Sequence, residues 1–176
     1  MISNAQTLKF TRTKEAVFAA VFTALAIYAP MLVHHFGGVA AGRIFLPMPF
    51  FVLAAGLLLG WRAGLAAGLV SPIVSFLISG MPMANILPFI TIQLCAYGFA
   101  AGMLKERFNG WISLAGGLIA GIFVSGIAVL LFSKMNAAGY VLGALKDGWI
   151  GIAIQFATLP ILAYFLKKYL ADEKNI

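Results

Sequence analysis

Polar side chains are scarce within the long apolar runs of this chain, and the few that occur have the chemistry to hold a small molecule. Amides stand at Asn85, Gln93 and Gln155, and hydroxyls at Ser71, Ser75, Thr91, Ser125 and Thr158. An amide in lipid is unfavourable unless it is paired, so each is either a ligand contact or a bond between helices. Arg43 and Lys146 suit an anionic group, while Tyr140 and Trp149 suit a flat or apolar body. Interfacial anchoring of the two aromatics and a neutral Lys146–Asp147 surface pair are the alternatives. The candidate binding residues are therefore Arg43, Asn85, Gln93, Tyr140, Lys146, Asp147, Trp149 and Gln155.

Catalytic chemistry has little to work with. Of the acidic residues, Glu15, Glu106, Asp172 and Glu173 fall at the edges of apolar runs, and no histidine lies within one. A serine nucleophile thus has no base, and no phosphate-binding loop of the G-x-x-x-x-G-K-[ST] type occurs. The adjacent His34 and His35 have no third ligand near in sequence, and Cys95 stands alone. No enzyme activity, metal or cofactor is expected.

The elements that must position these residues follow from composition. The 176 residues are 62% hydrophobic and 10% charged, against about 25% charged in soluble domains. Most of the solvent must therefore be lipid. Six apolar runs are separated by breakers: roughly 16–33, 47–59, 63–78, 84–104, 111–132 and 148–166. The second run, about 13 residues long, reaches only about 20 Å as a helix, short for a crossing. Prolines at 47, 49 and 72 suggest bends in spans two and three.

Twelve Lys and Arg against five Asp and Glu give a net charge of +7. The cations sit at the ends of apolar runs, so they report topology rather than a nucleic-acid partner. With the N-terminus inside, nine face the cytoplasm: Lys9, Arg12, Lys14, Arg62, Lys105, Arg107, Lys167, Lys168 and Lys174. Arg43, Lys134 and Lys146 face outward, a clear positive-inside bias. The expectation is an all-α membrane protein of six transmembrane helices with both termini cytoplasmic. Residues 1–14 form a cytoplasmic segment, 15–170 a single compact bundle and 171–176 a cytoplasmic tail. A long, glycine-rich first external loop from His34 to Arg43 is expected to act as a lid, and Tyr140 to Trp149 to precede span six. The N-terminal apolar run is expected to remain as the first span.

Small residues recur every four positions at Gly56, Gly60, Gly64 and Gly68, and at Gly117, Gly121 and Ser125. Such stripes let helix backbones approach closely. Ala16, Ala20 and Ala24 repeat the spacing on the terminal span, where an outside partner could dock.

That alanine stripe, the segment Leu46–Gly64 (LPMPFFVLAAGLLLGWRAG) and Ser75–Pro82 (SFLISGMP) resemble the substrate-binding S component of energy-coupling factor (ECF) vitamin transporters. The resemblance covers nearly the whole chain. It implies a bacterial plasma-membrane subunit that captures a B vitamin or related micronutrient from outside. It also implies docking through Ala16, Ala20 and Ala24 on a transmembrane subunit, with two ATP-binding subunits supplying energy and the capture subunit toppling in the bilayer. Two other classes remain: a structural or regulatory membrane subunit whose amides join helices, and a stand-alone solute facilitator or exporter.

Overall fold

A computed structural model describes residues 12–172. Among them are six helices and no strands: α1 (Arg12–Phe45), α2 (Pro47–Leu59), α3 (Trp61–Ser79), α4 (Leu87–Lys105), α5 (Gly110–Phe132) and α6 (Ala137–Asp172). Five of these are long and apolar enough to cross a membrane, and α2 is the short exception. Lys9, Lys174 and the outer parts of the expected terminal segments (1–11 and 173–176) lie outside the described residues. So do the side chains of Arg12, Lys167 and Lys168.

Local chemistry sets the boundaries. Pro47 opens α2, where a missing N–H is harmless, and Leu46 before it leaves the helix at φ 49°. Gly60, at φ 101°, is the whole turn between α2 and α3, and Gly80, at φ 70°, stops α3. Asn109 caps α5: its Oδ1 accepts from the Ile112 N–H at 2.9 Å.

Two expectations are corrected. The stretch 34–43 is not a loop: α1 runs through a kink at Gly38 (φ 65°, ψ −171°) and ends only at Phe45. Glycine alone accepts that backbone without strain, so the helix resumes instead of ending. The segment beyond the kink is held against α6, whose Gly151 sits on the Ile44 carbonyl and the Phe45 backbone. Span six likewise starts at Ala137, not near 148. Asn136 caps it by accepting from the Gly139 N–H at 3.1 Å, so Tyr140 to Trp149 are helical.

The short α2 resolves its own length problem. It packs against each of the other five helices, and Val52 to Leu59 are all buried. Surrounded by protein, it need not match the bilayer thickness. The glycine stripes bring α2, α3 and α4 together: a Cβ on Gly64 would collide with the Gly98 carbonyl, and one on Gly98 with Gly64. Gly56 meets the same Gly98 carbonyl, which bears out the packing reading of these residues.

The two ends of the bundle differ. At one end Leu58, Leu59, Ala63 and Ala163 form a closed cluster with Phe18 and Phe22 of α1. At the other, α2 stops early and leaves space above its first turn.

Candidate functional site

That space is a cavity of about 740 Å³, within the ordinary range for small-molecule sites. Leu46, Pro47, Met48 and Pro49 at the start of α2 border it from below. The other walls are the kinked end of α1, the last turns of α3 and the turn after it, the first half of α4, Ile122 of α5 and the first four turns of α6. Beneath it lies the main core, where Val52, Leu53, Leu94 and Leu114 are buried together.

A chain of hydrogen bonds crosses one wall. Tyr140 Oη of α6 donates to Gln93 Oε1 of α4 at 3.4 Å, and Gln93 Nε2 donates to Tyr97 Oη at 2.7 Å. Gln93 and Tyr97 are four residues apart, on one face of α4. Tyr97, 5% exposed, fits because Gly121 of α5 has no side chain where the ring lies. A tyrosine that accepts a bond still has its own proton, and Gln93 has a second N–H. All three residues border the cavity, so these donors can serve a ligand acceptor there.

Arg43 and Asp147 also line the cavity, as do His34, His35, Ser75 and Ser79. His34 is tied to the kink, with Nδ1 at 3.2 Å from the Gly38 carbonyl and its ring packed on Gly42. Four thioethers, Met31, Met48, Met81 and Met83, make part of the apolar lining. They adapt readily to a bound shape.

Of the eight candidate binding residues, the fold thus brings Arg43, Gln93, Tyr140 and Asp147 to one cavity. The other four lie elsewhere. Asn85 is exposed in the turn before α4, because that helix starts at Leu87. Trp149 is 63% exposed on the outer face of α6, as the interfacial alternative requires. Lys146 is exposed and does not border the cavity, since consecutive helical residues point in different directions. Gln155 is fully buried, and its Nε2 donates to the Leu46 carbonyl at 3.4 Å, a bond between helices.

Tyr97 was the omission from the candidate set. Its spacing of four from Gln93 on one helix was the available signal. The alanines Ala16, Ala20 and Ala24 are all exposed on α1. Cys95 is half-buried, with Sγ 3.9 Å from the Leu65 carbonyl. Comparison of the chain with protein-family models, with curated proteins and with solved structures gives no match.

Proposed function

We propose that this chain is the membrane subunit of an ECF-type importer that captures a B vitamin or related micronutrient from outside the cell. The observation that carries the reading is the cavity: it is sized for one small molecule, lined by apolar and thioether groups, and supplied with spare donors from Gln93 and Tyr97. Below it the core is filled by leucines and by glycines in backbone contact. A site packed shut on one side suits capture of a ligand from the other.

The charges support the orientation. Lys14, Arg62, Lys105 and Arg107 belong to the end opposite the cavity, where α1 begins and the α2–α3 and α4–α5 turns lie. Arg43, Lys134 and Lys146 belong to the cavity end. With the positive-inside rule, this supports a cavity mouth that faces outside, in a bacterial plasma membrane in this reading. The exposed alanine face of α1 offers a transmembrane partner a smooth helix surface for close approach. Two cytosolic ATP-binding subunits would provide the energy in this reading.

Affinity purification from native membranes in mild detergent tests the reading. A transmembrane subunit and two ATP-binding subunits should co-purify, together with one retained small molecule. A chain that purifies alone and empty would overturn it.

A further inference from the structure

The formally charged side chains bordering the cavity are Arg43, near the end of α1, and Asp147, on α6. They are opposite in sign. Among the described residues neither makes a hydrogen bond or an ion pair, with each other or with any neighbour. Lys146, adjacent to Asp147, is turned away from the cavity, so Arg43 has no second cation beside it in the lining.

The consequence is electrostatic. A ligand that fills the space displaces water from the lining, and a charge that loses water must regain a partner. A monoanion would satisfy Arg43 while covering Asp147 with a like charge. A monocation would do the reverse. Each mismatch discriminates against the wrong ligand, as each match favours the right one. The same lining carries the donors of Tyr97 and Gln93 and the four methionines, which suit a body with a hydrogen-bond acceptor and an apolar or flat surface.

We infer that the cavity takes a dipolar ligand, one that carries a cationic and an anionic group on the same small apolar or aromatic frame. The anionic group meets Arg43 and the cationic group meets Asp147. This rests on the capture reading above and narrows it from any micronutrient to a zwitterionic one.

The probe is the small molecule retained by the detergent-purified protein, identified by mass spectrometry and titrated calorimetrically onto protein stripped of it. The inference expects a compound with both a basic and an acidic group. Arg43→Gln and Asp147→Asn should each weaken it by about tenfold or more, with unchanged elution and helical content. Both side chains are solvent-exposed, so neither replacement disturbs packing. Asp147→Lys should shift preference toward the analogue with its basic group acylated. A retained monoanion that binds Asp147→Asn as well as it binds the parent protein overturns the dipolar inference and leaves capture standing. A protein that retains nothing and binds nothing overturns both.

Discussion

The side-chain amide of Gln155, midway along α6, donates to the backbone carbonyl of Leu46, the residue that joins α1 to α2. Leu46 is the one non-glycine residue at positive φ among the described residues, and its side chain lies against Gly148, two turns above Gln155. A leucine at φ 49° is unfavourable on its own, by about 1–3 kcal/mol, so its surroundings must hold it there. Gln155 and the glycine face of α6 do so. The residue thus shapes the floor of the cavity without entering it.

Replacing Gln155 with Leu or Ala should therefore act on stability first. The Leu46 carbonyl would keep the Phe50 N–H at 3.2 Å but lose its side-chain donor, a loss of about 0.5–1.5 kcal/mol. Among the described residues the buried Gln155 Oε1 has no hydrogen-bond partner, which makes Leu the milder of the two variants. Thermal unfolding in detergent measures this. An unchanged melting temperature together with a large loss of ligand affinity would instead make Gln155 a contact.

Gln93→Ala and Tyr97→Phe should act the opposite way. The first removes both bonds of the Tyr140–Gln93–Tyr97 chain, and the second only the Gln93–Tyr97 bond and the phenol of a cavity-lining residue. Tyr97→Phe removes a donor of about 1 kcal/mol, roughly a fivefold loss of affinity, and Gln93→Ala should exceed it. Calorimetric titration with the co-purified compound, set beside the melting temperature, separates binding from folding. Gly121→Ala should mimic the loss from a distance, because its Cβ would displace the Tyr97 ring.

Glycines that meet backbone should be intolerant. Gly98→Ala drives a methyl into the Gly64 backbone and should prevent the α3–α4 approach, with little folded protein on size-exclusion chromatography. Gly143→Ala is the control. Nothing lies within 4 Å of its Cβ, so it should leave the fold intact and gain about 0.5–1 kcal/mol in helix propensity. Equal behaviour of the two variants would contradict the close packing of α3 on α4.

Ala20→Trp probes the partner surface. Ala20 is exposed, so a large ring there should leave the isolated chain folded while reducing recovery of the transmembrane partner and uptake severalfold. Pull-down and transport measured side by side check it. Undiminished association would move the docking surface away from the alanine face.

Much of the architecture was legible in the residues. Apolar runs, Pro47, Gly60 and Gly80 bound α2 and α3 to within about two residues, because hydropathy and breakers act locally. Two boundaries were misread, both at the cavity end. Gly37-Gly38 reads as a stop, yet one glycine at φ 65° only bends α1. Lys146 and Asp147 read as a loop, yet Asn136 had already capped α6. The polar set was half legible for a related reason. Depth along a helix can be counted from sequence, but the direction a side chain faces depends on which neighbours pack beside it. Gln93 and Gln155 share a chemistry; one meets Tyr97 and Tyr140 and the other meets Leu46.

By itself, then, the sequence determined the solvent, the helical class, the asymmetry of cations and the small-residue seams, all properties of composition and spacing. Only the tertiary structure decided where the cavity lies and which side chains share it. The reason is physical: the cavity exists because the buried α2 ends short of its neighbours, and its lining is set by the rotation of the five other helices around that gap.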